Sequence, residues 1–295
     1  MRKSGQVATI KAGDYQACIV TVGAGLCALT YKGEDLVVPH PWNEIALAHL
    51  GKILAPWPNR LLHGHYALNG SEYQLPLNDL SSQSSIHGLV AWKEWKIDEL
   101  TPHQVTLSCP ITPIYGYPFE VRAQACYALD AKDGLKVIIR LKNVGDEVAP
   151  TGIGQHPYLC CAKSKADDIT LTLPAPEVYT VNELLNPQDL VPVAQLNLDF
   201  TKPRKVGATK IDHTFKMQWG PWMASLDDGH LQVTLSSDAP YLQVYTADKL
   251  QRIGLALEPM TCPPDAFNSK VGLCLLNPGE TQTLSYRISA KFIAQ

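Results

Sequence analysis

The chain has 295 residues, of which 45% are hydrophobic, and its formal net charge is −3 at pH 7. This length is sufficient to bury a large core, and the charge balance argues against a nucleic-acid or anionic-membrane partner, which would need clustered Lys and Arg. No segment approaches the roughly 18 apolar residues of a membrane span, and residues 1–16 lack the apolar region of a secretory signal.

The chain begins with short segments that alternate apolar and polar side chains. Residues 6–11 and 16–22 have this period of two, which is typical of half-buried strands. Residues 43–54 (NEIALAHLGKIL) carry the best helical pattern in the sequence, and that pattern stops before Pro56. Convincing amphipathic helices are nearly absent elsewhere, so this segment is the one predicted helix.

Two hairpins are predicted from their turn residues. Residues 65–75 (HYALNGSEYQL) consist of two alternating runs around Asn69-Gly70, a pair that suits a type I′ turn. A second hairpin is expected around Asp133-Gly134, between two further alternating runs. Hairpins of this kind connect antiparallel neighbours, so both favour an antiparallel sheet.

Strand-like segments continue to the end of the chain. The remaining predicted strands are residues 104–109, 135–144, 168–173, 230–236, 241–246 and 283–292. Because these strands do not alternate with helices, a parallel α/β sheet is not expected. The pattern predicts an all-β fold, a large antiparallel sandwich. No linker or repeat interrupts it, so we expect one domain over residues 1–295.

Asn59 and Arg60 form the first candidate binding group. They follow two prolines and Trp57 in the segment APWPNRLLHGHY. An arginine donates hydrogen bonds in a planar fork that fits hydroxyl or carboxylate oxygens, and the Trp57 ring could stack on the apolar face of a sugar. Taken alone, Arg60 is more readily explained as a structural residue of a surface turn.

Two histidines lie in irregular segments that contain glycine. His87 precedes Gly88, and His156 follows two glycines and precedes Pro157. This context of His156 would hold an imidazole firmly, and histidine can act as a general acid near neutral pH. A single histidine is more often structural than catalytic. Together with His213 they could be imagined as metal ligands, but their spacing matches no zinc signature.

Two carboxylates complete the set of candidates. Asp212 precedes a strand-like run and could bind sugar hydroxyls, or it could cap a turn. Glu258 ends the apolar run IGLALE and is followed by Pro259, Pro263 and Pro264. Partial desolvation at the end of a buried strand would raise the pKa of Glu258 and make it a better base. Considered by itself, Glu258 is more readily explained as a structural residue.

Motifs for several other chemistries are missing from the sequence. There is no G-x-S-x-G, no Walker A motif, no strand-linked G-x-G-x-x-G and no H-E-x-x-H. The eight cysteines include no C-x-x-C pair. Without a secretory signal, they are expected to be free thiols. We therefore expect no cofactor, no metal and a cytoplasmic location.

The order of the candidate segments is more specific than any one of them. Asn-Arg-x-x-x-Gly-x-Tyr is followed by His-Gly, His-Pro-Tyr, Ile-Asp-His and Glu-Pro-x-Thr-x-Pro-Pro-Asp-Ala-Phe-Asn. Over roughly residues 50–270, this ordered set resembles the aldose 1-epimerase (galactose mutarotase) family. The resemblance implies a galactose mutarotase-like supersandwich of large antiparallel sheets, with a cleft for a small-molecule sugar on one face and no cofactor.

The resemblance also implies a role for individual residues. The family's catalytic base falls on Glu258 and its catalytic acid on His156. In the implied reaction, the base and the acid open the sugar ring, and reclosure gives the other anomer. The implied substrate-binding residues are Asn59, Arg60, His87, Tyr158, Asp212 and Gln243.

The substrate is less clearly indicated than the reaction. HPYLC stands where galactose-type members usually have His-Ser-Tyr-Phe-Asn, and Ala91 replaces an arginine of hexose-6-phosphate mutarotases. The WPNRL and EPMTCPPDAFN segments are most similar to a branch from bacterial sugar operons that includes sulfoquinovose mutarotases. The sequence leaves a neutral, a phosphorylated and a sulfonated sugar open as substrates. Positive side chains would favour an anionic sugar: Arg60 is the clear candidate, and Lys52 and Lys93 are weaker ones.

Two other classes of function compete with a mutarotase. A carbohydrate-binding sandwich without catalysis would use Trp57, Arg60 and Asp212, and would not need both Glu258 and His156. A glycosidase would need Asp212 and Glu258 on either side of a glycosidic bond. We expect the chain to be a monomer or a homodimer, with no nucleic acid or membrane as partner.

Overall fold

The computed structural model describes residues 3–293, and strands dominate them. The first fourteen strands are β1 (Val7–Ala12), β2 (Tyr15–Val20), β3 (Gly25–Tyr31), β4 (Glu34–Asp35), β5 (Ile53–Leu54), β6 (Arg60–Leu62), β7 (His65–Leu68), β8 (Ser71–Gln74), β9 (Ser84–Ile86), β10 (Lys96–Leu100), β11 (Gln104–Ile111), β12 (Val121–Asp130), β13 (Gly134–Asn143) and β14 (Ala149–Thr151).

The second half of the chain continues in the same way. Its strands are β15 (Gly154–Gln155), β16 (Tyr158–Leu159), β17 (Thr170–Thr172), β18 (Glu177–Val181), β19 (Pro187–Pro192), β20 (Arg204–Lys205), β21 (Asp212–Lys216), β22 (Trp222–Asp227), β23 (Leu231–Ser237), β24 (Tyr241–Tyr245), β25 (Leu255–Met260), β26 (Cys274–Leu276) and β27 (Thr281–Phe292). The helical elements are the short α1 (Ala266–Ser269) and four 3₁₀ turns, Leu47–His49, Ala166–Asp168, Val193–Leu196 and Asp248–Leu250.

Two large antiparallel sheets organise these strands. The first has nine strands in the order β10-β11-β12-β13-β27-β23-β22-β17-β20, and the second has the order β19-β18-β21-β24-β25-β15-β5, with β16 also paired to β25. Strands β1 to β4 form a smaller sheet. One hydrophobic cluster joins the sheets, and it includes Ile10 of β1, Ile139 of β13 and Val244 of β24. The predicted all-β supersandwich of large antiparallel sheets is therefore confirmed.

Both predicted hairpins are present. Asn69 and Gly70 have φ values of 50° and 80°, the left-handed conformation that both central residues of a type I′ turn adopt. In the second hairpin, Asp130 pairs with Gly134, so the turn covers residues 131–133. The carboxylate of Asp130 accepts hydrogen bonds from the amides of Lys132 and Asp133 at 2.8 and 2.9 Å, which fixes this turn.

The predicted helix over residues 43–54 is wrong. Only the 3₁₀ turn Leu47–His49 forms, and Ile53–Leu54 joins the second large sheet as β5. Ala48, His49 and Gly51 have φ values of 45°, 57° and 69°, which a right-handed helix cannot include. The segment with this apolar spacing forms an irregular loop instead. Ala46 and Leu50 of that loop pack in a small hydrophobic cluster.

Two further features of the fold are its cysteines and its short helices. All eight cysteines are free thiols, as predicted. Among residues 3–293, no helix has the length and apolar character that crossing a membrane would require.

Candidate active site

A cavity of about 300 Å³ opens beside β25, and its lining includes seven residues predicted to act together. Those residues are Asn59, Arg60, His87, His156, Tyr158, Asp212 and Glu258. They come from separate parts of the chain. The second large sheet carries β21, β25 and the β15–β16 connection, and Asn59, Arg60 and His87 lie at the two-stranded sheet of β6 and β9. The volume is at the lower end of the range typical of small-ligand pockets, roughly 300–1,000 Å³.

Glu258 lies in the interior of β25, whose six residues are all buried. Its neighbour across the sheet is Gln243 of β24. The side chain is 2% exposed, and Oε2 has no hydrogen-bond partner within the described part of the chain. Burial raises the pKa of Glu258 well above its usual value, the negative charge of Asp212 adds to this, and Arg60 partly opposes it. The carboxylate is thus a stronger base than an exposed one.

His156 lies in the short connection between β15 and β16. Its backbone is held from both sides: its amide donates to the carbonyl of Lys52 at 3.0 Å, and its carbonyl accepts from the amide of Gly51 at 2.9 Å. The imidazole is nearly parallel to the Tyr158 ring, with centroids 4.8 Å apart. Its Nε2 lies 3.3 Å from Oε1 of Glu258. Burial, followed by nearby His49, lowers the pKa of His156 well below its usual value.

Two effects oppose each other in the pair of His156 and Glu258. A distance of 3.3 Å would favour an imidazolium and a carboxylate. Burial favours the neutral forms of both, and burial dominates because the side chains are only 8% and 2% exposed. In either arrangement the pair holds one proton near neutral pH. The two pKa values are moved towards each other, so that proton can pass between the groups at low cost.

Asn59 and Arg60 form a unit that is fixed by its own hydrogen bonds. Asn59 adopts a left-handed conformation with φ 55°, which asparagine tolerates better than most residues. Its side-chain oxygen accepts from the Arg60 amide at 2.8 Å and from Nη1 at 3.1 Å. Nη2 of Arg60 lies 3.5 Å from Oδ2 of Asp212. The guanidinium thereby presents a fixed cationic edge beside Asp212.

Gln243 stands behind Asp212. Its side-chain nitrogen donates to Oδ1 of Asp212 at 2.6 Å, and its side-chain oxygen accepts from the hydroxyl of Thr214. Gln243 is 2% exposed and does not line the cavity. This geometry favours a positioning role for Gln243 rather than the direct sugar contact that the sequence suggests, and that contact stays a prediction.

Tyr158 contributes its ring rather than its hydroxyl to the cavity. The hydroxyl donates to the carbonyl of Ala48 at 3.0 Å, and the residue is 1% exposed. Because the ring stacks on His156, it limits how that imidazole can tilt. Its predicted role in substrate binding stays a prediction.

His87 is placed by an unusual backbone. It has φ 67°, its amide donates to the carbonyl of Asn59 at 2.8 Å, and the next residue is Gly88 with φ 69°. A side chain at Gly88 would collide with the carbonyl of Ala55, so glycine is needed there. The imidazole lies 5.3 Å from that of His156, centroid to centroid. Burial lowers the pKa of His87 well below its usual value.

The proline-rich segment after Glu258 links β25, which carries Glu258, to β6, which carries Arg60. The amide of Thr261 donates to the carbonyl of Ile153 at 2.9 Å. The amide of Ile153 donates in turn to the hydroxyl of Thr261, also at 2.9 Å. Further on, the amide of Asp265 donates to the carbonyl of Arg60 at 2.7 Å, and its carboxylate accepts from the amide of Leu62 at 3.0 Å. This segment therefore fixes the position of β6 relative to β25.

Two expectations about nearby residues are wrong. Trp57 does not face the cavity: its ring packs in the core beside Phe267 with centroids 5.8 Å apart, and its Nε1 donates to the carbonyl of Ser85 at 3.2 Å. Lys52 is fully buried and donates to the carbonyl of Val22, and Lys93 also lies outside the cavity lining. The irregular loops that position these side chains cannot be inferred from residue type.

Further residues line the cavity and are missing from the predicted set. Among them are His49, Asp79 and Lys249. His49 belongs to the segment that was predicted to be a helix, so its position was not recognisable. Asp79 follows Asn78 and precedes a Ser-rich run, and Lys249 lies in the 3₁₀ turn after β24. No group of three or more His, Cys, Asp or Glu within residues 3–293 is arranged to hold a metal ion.

Comparison with known proteins agrees with this geometry. The sequence profile described as aldose 1-epimerase matches residues 6–289. The chain belongs to the aldose 1-epimerase family. The protein is thus an isomerase of the mutarotase type.

Individual proteins show how far the similarity extends. The chain is 50% identical over 290 residues to the Escherichia coli K12 protein called uncharacterized protein YihR, covering 98% of this chain and 94% of that protein. It is 23% identical over 273 residues to galactose mutarotase of Mus musculus, covering 79% and 76% of the two chains. The fold is similar to that of an aldose epimerase homologue from C. elegans, with a TM-score of 0.87, 16% identity and coverage of 98% and 99%.

Proposed function

We propose that this protein interconverts the α and β anomers of an aldohexose or a close derivative by opening and reclosing the sugar ring. The observation that carries the proposal is the contact of 3.3 Å between Nε2 of His156 and Oε1 of Glu258 in the lining of a sugar-sized cavity. Both groups also keep a buried polar atom without a partner within the described residues, Nδ1 of His156 and Oε2 of Glu258. Such atoms have unused hydrogen-bonding capacity.

The two groups carry complementary halves of the reaction. The one proton of the pair first passes from Glu258 to His156. The Glu258 carboxylate then takes the proton of the anomeric hydroxyl, and the His156 imidazolium gives its proton to the ring oxygen. The C1–O5 bond breaks, and the open-chain aldehyde forms. Rotation about C1–C2 presents the other face of the carbonyl. Reclosure then returns both protons with the roles reversed, so the two groups end as they began.

The directions of the two pKa shifts support this division of roles. Burial raises the pKa of Glu258, which strengthens it as a base, and lowers the pKa of His156, which strengthens its protonated form as an acid. The bound anomeric hydroxyl and ring oxygen would replace the contact between the two side chains. Proton transfer then needs no movement of the backbone, because β25 and the β15–β16 connection are both held by the sheet.

Asn59, Arg60, His87 and Asp212 are proposed to orient the sugar. Arg60 donates from a fixed fork, and Asp212 accepts from hydroxyl groups beside it. Oriented binding of this kind contributes to rate because the reacting atoms are held close to their reacting geometry. Gln243 supports Asp212 from behind and contributes indirectly.

The test is anomer exchange measured by saturation-transfer or exchange NMR on the purified protein. A panel of glucose, galactose, glucose 6-phosphate and sulfoquinovose should include at least one aldose whose exchange is accelerated well beyond the rate in buffer. If no member of the panel exchanges faster, yet sugars still bind, a carbohydrate-binding sandwich without catalysis replaces the proposal. Hydrolysis of aryl glycosides would favour a glycosidase instead.

An anionic sugar is a second candidate substrate, and Lys249 is the observation that favours it. Lys249 lines the cavity and forms no ion pair with any residue in 3–293, whereas Arg60 already lies beside Asp212. An unpaired ammonium at the cavity mouth would favour a phosphate or sulfonate group through its charge.

A charge-neutralising variant separates the two substrate classes. With Lys249→Gln, KM for glucose 6-phosphate or sulfoquinovose should rise while KM for neutral glucose or galactose stays unchanged. Lys142→Gln is the matched control, because Lys142 is an exposed lysine on β13. Equal effects of Lys249→Gln on neutral and anionic sugars would argue against the anionic candidate without affecting the proposed reaction.

A further inference from the structure

His49 adds a third imidazole to the wall of the cavity. Its ring centroid lies 4.5 Å from that of His87 and 6.3 Å from that of His156, and its plane is within 14° of the His156 plane. It also lines the cavity. His49 is therefore a direct neighbour of the proposed acid, although no motif in the sequence includes it.

The backbone around His49 is held in an unfavourable conformation. Ala48 and His49 are consecutive left-handed residues, with φ values of 45° and 57°. Residues of this kind persist only where their surroundings fix them, and they are concentrated at functional sites. Here the Tyr158 hydroxyl donates to the carbonyl of Ala48 at 3.0 Å, and the Lys52 amide donates to the carbonyl of His49 at 3.0 Å. The loop is thus tied to the same tyrosine that stacks on His156.

The His49 ring is also supported from the side by Trp92 and Lys52. The Trp92 ring lies 5.2 Å from the His49 ring, and Nζ of Lys52 lies 5.2 Å from the Trp92 ring. Lys52 is fully buried and donates to the carbonyl of Val22 at 2.5 Å. A buried ammonium over an indole face is attracted to it and restricts its movement. Lys52 therefore holds the Trp92 ring, and the Trp92 ring holds the His49 ring at the wall of the cavity.

The His49 imidazole is suited to a hydroxyl group. Burial, followed by the charges of Lys52 and Lys249, lowers the pKa of His49 to about 4, so the ring is neutral at pH 7. A neutral imidazole has one donor nitrogen and one acceptor nitrogen, as a sugar hydroxyl requires. Neither nitrogen forms a hydrogen bond with another residue of the described chain, so both are available to a ligand.

We infer that His49 is a third histidine of the active site, that it hydrogen-bonds a hydroxyl of the bound sugar, and that Lys52 and Trp92 hold it there. This inference rests on the proposed function. It makes His49 a binding residue of the same cavity, and Trp92 and Lys52 positioning residues that act through it.

The first experiment compares His49→Asn with wild type for the best substrate of the aldose panel. Asparagine tolerates the left-handed backbone, so this change should keep the loop. KM is expected to rise about three- to tenfold, the loss typical of one hydrogen bond, with a smaller change in kcat. Trp92→Leu, which removes the support, should raise KM in the same direction. His103→Asn is the matched control, because His103 is exposed at the turn before β11.

The second experiment detects the contact between His49 and the sugar directly, and it distinguishes this contact from a structural role of His49. Histidine side chains labelled with ¹⁵N are followed by NMR while the same aldose is added, and the His49 signals are identified by their loss in His49→Asn. The inference requires the His49 signals to move together with those of His156. It is overturned if the His156 signals move and those of His49 do not. If no histidine signal moves with any aldose and wild type shows no anomer exchange, the proposed function fails, and the inference with it.

Discussion

Nε2 of His156 lies 3.3 Å from Oε1 of Glu258, although the two residues are 102 positions apart in the chain. The contact exists because the β15–β16 connection and β25 are neighbours in one sheet. Both side chains are buried, so each loses water that would stabilise its charge. The pair therefore behaves as one site with one proton, and this property is the basis of the predictions below.

The charge state of the buried histidines is the first prediction. Burial lowers the pKa of His156 and His87 well below the usual value of about 6.5. Both rings should stay neutral as the pH falls through that value, and ¹⁵N-histidine NMR titration would show it. Titration of both rings at the ordinary value would contradict the prediction.

The same shifts predict a loss of stability in mild acid. The proton that the folded state keeps on Glu258 offsets the one that unfolding adds to His156. The unfolded chain also binds a proton on His87 below about pH 6.5, so it binds more protons in total than the folded state. The free energy of unfolding should therefore fall as the pH drops below that value. Denaturant unfolding at pH 7 and pH 5.5 would measure the change, and equal stability at the two values would contradict it.

Glu258→Gln is expected to stabilise the fold at neutral pH while removing activity. The raised pKa of Glu258 means that the folded protein keeps a proton on this carboxyl that the unfolded chain releases above its pKa of about 4.3, so the cost to the folded state grows as the pH rises above that value. Glutamine keeps the shape and has no ionisation to suppress, so it removes this cost. Tm at pH 7 should rise, by about 2–4 °C per kcal/mol for domains of 150–250 residues. The gain should shrink towards pH 4, and a lower Tm at pH 7 would contradict the prediction.

Gln243→Met should weaken substrate binding without removing the acid or the base. Methionine has a similar size but cannot donate to Asp212, so the carboxylate loses the hydrogen bond of 2.6 Å that orients it. We expect KM to rise about tenfold and the unfolding free energy to fall by about 1–3 kcal/mol, as for a buried polar group left unpaired. Gln124→Met on β12 is a matched control. An unchanged KM would show that Asp212 needs no support from Gln243.

The strand pattern was recognisable in the sequence because alternation and turn residues are local properties. The hairpin at residues 65–75 follows directly from Asn69-Gly70, since few other pairs adopt two left-handed conformations easily. The helix predicted over residues 43–54 failed for the opposite reason. Its apolar spacing is local, but the left-handed turn at Ala48 and His49 is held by the hydroxyl of Tyr158, 110 positions from Ala48 in the chain.

The candidate site was predicted in part, through motif order rather than residue chemistry. Glu258, His156 and Arg60 were singled out because they stand beside proline and glycine in a recognisable order, and the fold brings them to one cavity. Lys249 carries no such signal, because its place depends on how the turn after β24 packs. The prediction of one domain over residues 1–295 stays a prediction, which a single unfolding transition would support.

The central claim is that Glu258 and His156 together move the protons of ring opening. Exchange NMR on the best aldose of the panel should show that Glu258→Gln and His156→Asn each reduce the anomer exchange rate by about 10²–10⁴-fold, the usual contribution of one acid or base group. Circular dichroism should show that both variants keep the strand content of wild type. A rate near that of wild type in either folded variant would contradict the account.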